Sequence, residues 1–163
     1  DRVLAACSDA RQVVVVGPDR VTQRPVRWAR EQPVGGGPVA ATAAGLAQTG
    51  TDVVVLLAVD TPFVTAATLA RLVTAVDEAL EGDGAMLVGA DGRDQPLVAA
   101  YRRAALVDRL AGLGDPAGVA MSRLLGGLDL VRLPDEEAAS MDCDTWDELE
   151  QARVRARGVG GTG

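Results

Sequence analysis

An α/β fold with a mostly parallel sheet is what this sequence predicts, on three observations. First, apolar, β-branched runs alternate with segments whose apolar residues recur at the 3-4 spacing of one helix face. Second, the run Val53-Val54-Val55-Leu56-Leu57-Ala58-Val59 carries no polar residue on either face, as a central strand buried on both sides requires. Third, Gly and Pro fall at the boundaries between runs, where they stop one element and start the next. Strands that alternate with helices need crossover connections, and crossovers join parallel neighbours.

Each element follows from local chemistry. Residues 1–8 read as a short helix with Val3, Leu4 and Cys7 on one side. Residues 12–16 are a strand stopped by Gly17-Pro18, and residues 26–30 alternate apolar and basic side chains as a strand near a sheet edge does. Gly35-Gly36-Gly37-Pro38 is a loop, with Pro38 suited to the first turn of a helix that runs to Gly50. After the Val53 strand, Thr65 is placed to cap a helix whose apolar face is Leu69, Leu72, Val73, Val76 and Leu80. Residues 85–89 form a strand, residues 91–94 a turn, and residues 96–101 an extended piece that adds an antiparallel strand. Helices are expected over 102–113 and 117–125, a strand over 128–133, and a last helix over 146–157. Residues 1–157 make a single domain, and 158–163 form a small, flexible tail.

Composition narrows the function. The net charge of −7 argues against nucleic acid or a membrane surface as partner, because both attract a basic footprint. All 16 basic residues are Arg, and the chain has neither Lys nor His. A Lys Schiff base, a catalytic His and a His-ligated zinc are therefore excluded within these residues. The two cysteines, Cys7 and Cys143, stand far apart and read as free thiols in a reducing compartment. No run approaches the roughly 20 apolar residues of a membrane span, and the start shows no signal-peptide pattern. The expected location is the cytoplasm.

Several residues are candidates for chemistry. Asp60 ends the Val53 run, and Pro62 stops it; Asp60 is either a ligand residue at the carboxyl end of a strand or the turn residue that opens the next loop. The Gly35 to Pro38 loop before a helix offers bare N–H groups to an anion, or is a plain connection. Asp144, Asp147 and Glu148 fit ordinary capping and helix-dipole chemistry, with a metal role for Asp147 and Glu148 as the alternative. Asp142 is placed to approach Asp60, and two carboxylates with waters and phosphate oxygens are how Mg²⁺ is usually held. Arg20, Arg24, Arg93 and Arg123 are available to phosphate or carboxylate.

Taken in order, four pieces resemble one family: Glu31-Gln32-Pro33 with Gly35-Gly36-Gly37-Pro38-Val39-Ala40-Ala41; Val55-Leu56-Leu57-Ala58-Val59-Asp60-Thr61-Pro62-Phe63; Gln95-Pro96-Leu97-Val98-Ala99-Ala100-Tyr101; and Asp142-Cys143-Asp144-Thr145-Trp146-Asp147-Glu148-Leu149. The chain resembles the molybdenum cofactor guanylyltransferases, within the nucleotidyltransferases of Rossmann-like fold. The resemblance implies a Rossmann-like three-layer sandwich, mostly parallel, with the antiparallel strand in the C-terminal half. It implies transfer of GMP from GTP to molybdopterin-bound molybdenum with release of pyrophosphate, and transient contact with other cofactor-biosynthesis proteins or molybdoenzymes.

By the same resemblance Asp60 is the metal-binding aspartate for Mg²⁺, with Asp142 beside it. Gly17, Glu31, Gln32, Gly36, Gly37 and Pro38 face the nucleotide, and Gln95, Pro96 and Arg123 face the second substrate. Gly17 stands where the family often has Asn. Asp142 and Asp144 replace the two Asn of an Asn-x-Asn-Thr-Pro piece, and Trp146 replaces its Pro. The alternatives are a cytidylyltransferase or phospholactate guanylyltransferase of the same fold, or a non-catalytic cofactor-binding partner. The family begins with a strand and a Gly-rich phosphate loop, which are expected before Asp1 over roughly 20–25 residues. The strands at Val13 and Val53 are then expected to show unpaired edges, and residues 1–163 alone to bind GTP weakly while the parent protein is active.

Overall fold

The computed structural model describes residues 2–136 and 139. In chain order these are α1 (Arg2–Ala6), β1 (Val14–Val16), β2 (Arg27–Ala29), α2 (Gly37–Leu46), β3 (Val53–Leu57), α3 (Ala66–Glu78), β4 (Gly84–Val88), β5 (Asp94–Arg102), α4 (Arg103–Leu113), α5 (Met121–Leu125) and β6 (Leu130–Pro134). β1 and β2 form a parallel pair, and β3-β5-β4-β6 form a second sheet in that order. β4 and β6 are parallel, and β5 runs against both β3 and β4. The antiparallel strand of the C-terminal half is therefore inserted between β3 and β4, not added at the rim.

Side-chain alternation builds three layers, as the period of two along a strand demands. Val54, Met86, Ala99 and Tyr101 point into one core with Val39 and Leu46 of α2, Leu106 of α4 and Leu124 of α5. Ala85, Leu87, Val98 and Ala100 point the other way, onto Leu72 and Val76 of α3 and Ala6 of α1. With almost no aromatic residues, these small aliphatic side chains fill both cores. Gly84 shows how close the sheet and its neighbours come: a Cβ there would lie 2.7 Å from the Ala100 carbonyl oxygen and 2.8 Å from the Tyr101 ring. Thr65 does cap α3, its Oγ1 accepting the Thr68 N–H at 3.1 Å.

Four expectations are corrected. The Val53 strand lies at the edge of its sheet among the described residues, paired with β5 alone; β1 likewise pairs with β2 alone, so the unpaired edges read from the sequence are present and the sheet is divided in two. α2 ends at Leu46 rather than at Gly50. α3 ends at Glu78, which leaves Leu80 outside it and 83% exposed. There the Arg102 guanidinium donates to the carbonyls of Val76, Ala79 and Gly82 at 2.8–3.2 Å and so takes up the helix's last acceptors. The helix expected over 117–125 begins only at Met121, because Asp115 Oδ1 accepts the Ala117 N–H and holds residues 115–118 as a turn. The helix expected over 146–157 lies outside the described residues.

Candidate functional site

One end of the molecule gathers most of the candidates. β1 closes at Gly17, which adopts φ +147° and donates its N–H to Ala29 O at 2.9 Å, so the β1–β2 ladder runs to its last residue. β2 then leads into the 31–38 loop and α2. α2 runs back along this pair, since the chain just past its C-terminal end meets the starts of both strands, so its N-terminus lies by their carboxyl ends. The opposite end is marked by Gln48 O, which accepts from Gln12 ahead of β1 and from Arg27 at the start of β2. Gly17, Glu31, Gln32, Gly36, Gly37 and Pro38 therefore lie towards one end of the β1–β2 pair.

The loop is folded by its own hydrogen bonds. Glu31 Oε1 accepts the Gly35 N–H at 3.1 Å, and Pro33 O accepts the Gly36 N–H at 2.9 Å. Backbone donation from its own N–H and from Gly35 holds the Glu31 carboxyl below its ordinary range. Glu31 thus shapes the loop, while Gln32 and Pro38 are exposed. Gly36 has no room for a side chain: a Cβ would meet Pro33 O at 2.9 Å. Gly37 adopts φ +89°, and among the described residues its N–H is left by the loop's own bonds. Together with the start of α2 it offers donors to an anion.

Gly118 was not foreseen. It adopts φ +70° and donates its N–H to Gly36 O at 2.8 Å, which ties the 115–118 turn to the glycine loop. The Pro116-Ala117-Gly118 spacing was the available signal. α5 follows that turn and carries Arg123, whose side chain is exposed. Arg109 fixes the helix by donating to the carbonyls of Arg123 and Leu124 at 3.1 and 3.0 Å.

Asp60 lies just past the end of β3, exposed, in a tight turn. Buried Thr61 donates its hydroxyl to Ala58 O at 2.8 Å, so the turn is tied to its strand. Ala58 donates to Leu97 O at 2.9 Å, extending the β3–β5 register in which Leu57 faces Val98. The same register leads Asp60 towards Gln95 and Pro96 at one end of the sheet. Gln95 Nε2 stands over Gly89 at the end of β4, where a Cβ would come within 3.2 Å of it.

The other arginines are mostly committed. Arg24 donates to Cys7 O and Ala10 O, and Arg93 pairs with Asp91. Cys7 is a free, half-buried thiol whose pKa is pushed up by burial, with Arg24 acting in the other sense. Asp142 lies outside the described residues. Among the described residues no three His, Cys, Asp or Glu side chains group to hold a metal. A single exposed carboxylate still fits Mg²⁺ that arrives on phosphate oxygens and keeps its waters. No helix of the described residues is long and apolar enough to cross a membrane.

Arg103 donates to Asp52 O ahead of β3 and to Leu46 O at the end of α2, so Asp60, past the far end of β3, lies towards the glycine loop at the N-terminus of α2; a carboxylate past a strand end with such a loop suits a phosphate-handling α/β domain. The chain belongs to the MobA-like NTP transferase domain family, which matches residues 1–130, and is a nucleotidyltransferase. Its fold is similar to molybdopterin-guanine dinucleotide biosynthesis protein A from Archaeoglobus fulgidus, with TM-score 0.60 and 24% identity over 82% of this chain and 69% of that one. It is similar also to 2-C-methyl-D-erythritol 4-phosphate cytidylyltransferase from Thermus thermophilus, with TM-score 0.69 and 19% identity over 96% of this chain and 87% of that one. A Methanothermobacter nucleotidyl transferase gives TM-score 0.66 and 23% identity over 97% and 79% of the respective chains. At these identities the likeness is one of fold. No curated protein matches.

Proposed function

We propose that the protein transfers GMP from GTP to molybdopterin-bound molybdenum in molybdenum cofactor biosynthesis. The observation that carries this reading is that Arg103 ties the start of β3, at Asp52 O, to the end of α2, at Leu46 O, so the far end of β3, with Asp60, lies towards the Gly35 to Pro38 loop, while the β5 register leads it to Gln95-Pro96. A terminal phosphate oxygen of the pterin attacks the α-phosphorus of GTP; the bond to the bridging oxygen breaks and pyrophosphate leaves. Such a reaction asks for in-line positioning and charge neutralisation rather than a protein nucleophile.

In this reading Asp60, with Asp142, holds Mg²⁺ on the triphosphate; when bound, the ion neutralises charge developing on the phosphates. Gly17, Glu31, Gln32, Gly36, Gly37 and Pro38 form the nucleotide side, with Glu31 acting through the loop it folds. Gln95, Pro96 and Arg123 form the pterin side. Location in the cytoplasm, where GTP is available, belongs to the same reading.

The test is a product analysis with the full-length protein, Mg²⁺, molybdopterin carrying molybdenum, and either GTP or CTP. Mass spectrometry should find the guanine dinucleotide and pyrophosphate. A cytosine dinucleotide instead would replace the base assignment, and no transfer from either nucleotide would overturn the reading.

A further inference from the structure

Tyr101 is the chain's one tyrosine, and it lies fully buried in the core shared with α2, α4 and α5. Its hydroxyl donates to the Pro96 carbonyl at 3.0 Å. In an unbroken strand, residues five apart are separated by about 16 Å, far beyond the reach of a tyrosine. The contact exists because β5 is irregular. Against β4 its pairing jumps from Met86–Ala99 to Leu87–Gln95, so Pro96, Leu97 and Val98 leave that ladder. Against β3 it stays in register, with Val98 opposite Leu57. Pro96 has no N–H to give to a ladder, which is the local reason for a break here. The bulge brings the Pro96 carbonyl back within reach of the hydroxyl.

The ring of Tyr101 is itself fixed. It packs over Gly84, where a Cβ would meet its Cδ1 at 2.8 Å. Burial, with the nearby Asp94 charge adding to it, pushes the pKa of its phenol upward, so it remains a donor throughout the neutral range. At the far side of the bulge Gln95 stands over Gly89, and the β3 register leads to Asp60.

We infer that Tyr101 is a positioning residue for the acceptor side of the site, holding the Pro96 bulge and through it the place of Gln95 relative to Asp60. The inference rests on the reading that Gln95 and Pro96 face the second substrate. It predicts that the hydroxyl matters for the acceptor and not for the nucleotide.

Full-length Tyr101→Phe keeps the ring and removes only the donor. The KM for molybdopterin should rise roughly three- to tenfold, the size of one lost hydrogen bond, with the KM for GTP unchanged. Amide exchange over residues 94–98 should quicken in the protein without substrates. Adding Gln95→Ala to Tyr101→Phe should raise the acceptor KM no further than Gln95→Ala does alone, because both act at one place. Unchanged exchange over 94–98 would overturn the brace. Equal shifts of both KM values, tracking a fall in melting temperature, would overturn the positioning role and leave a structural one. If the unsubstituted protein transfers no nucleotide, the proposed function falls, while the exchange measurement still decides whether Tyr101 holds the bulge.

Discussion

The two sides of the candidate site are built by different means. The side proposed for the acceptor rests on β3, β5 and β4, whose residues 85–87 and 98–101 are almost wholly buried between two helical layers. The side proposed for the nucleotide rests on two three-residue strands and a loop whose shape comes from the Glu31–Gly35, Pro33–Gly36 and Gly36–Gly118 hydrogen bonds. Apolar packing fixes the first, and backbone polar contacts near water fix the second. Hydrogen bonds close to solvent are individually weak, so the loop can be reshaped without unfolding the domain. The sheet has no such freedom, since its side chains interlock.

Substitutions should separate the two sides. The largest stability effect is expected from Leu87→Ala, which empties a fully buried position of the sheet and should cost about 2–5 kcal/mol in denaturant unfolding. Asp60→Asn should lower the transfer rate roughly a hundredfold if the carboxylate serves the phosphates. Its unfolding midpoint should stay put, because the side chain is exposed. Gly37→Ala meets no neighbour but must adopt φ +89°, a strain of about 1–2 kcal/mol. Its effect should appear mainly as a raised KM for nucleotide.

The smallest effect belongs to the surface pair Arg132–Asp94, joined at 2.9 and 3.0 Å. Hydrogen bonding from Arg132 holds the Asp94 carboxyl below its ordinary 3.8. A lowered folded value means stabilisation that is complete above 3.8 and lost as pH falls through the folded value. Arg132→Gln should therefore show a slight loss of stability at neutral pH, measured by thermal melting, that vanishes in strong acid.

The parts of the fold that were legible are those where one local signal meets no competitor. The Val53 run, the Thr65 cap and the extended 96–101 piece each follow from burial, capping or pattern, and each is present. The misses are tertiary. Leu80 continues the helical spacing of α3, but Arg102, twenty-two residues on, takes the carbonyls at the helix end. Residues 117 and 118 look like the start of a helix until Gly118 is drawn to Gly36. The unpaired edge of β3 was expected from the family resemblance and not from any local signal, since strand order depends on where β5 inserts. In the site, Asp60 and the glycine loop were readable from residue type at an element boundary. Tyr101 was not, although Pro96 inside a strand was a signal that the ladder must break there.

The Thr61 hydroxyl on Ala58 O has a thermodynamic consequence for whatever Asp60 meets. Thr61 is buried, Val64 donates back to its carbonyl at 3.4 Å, and Thr65 begins α3. The arc from strand to helix is thus closed before any ligand arrives. An encounter at Asp60 then orders a side chain with few rotors rather than a loop, and the entropy of closing the arc has already been met in folding.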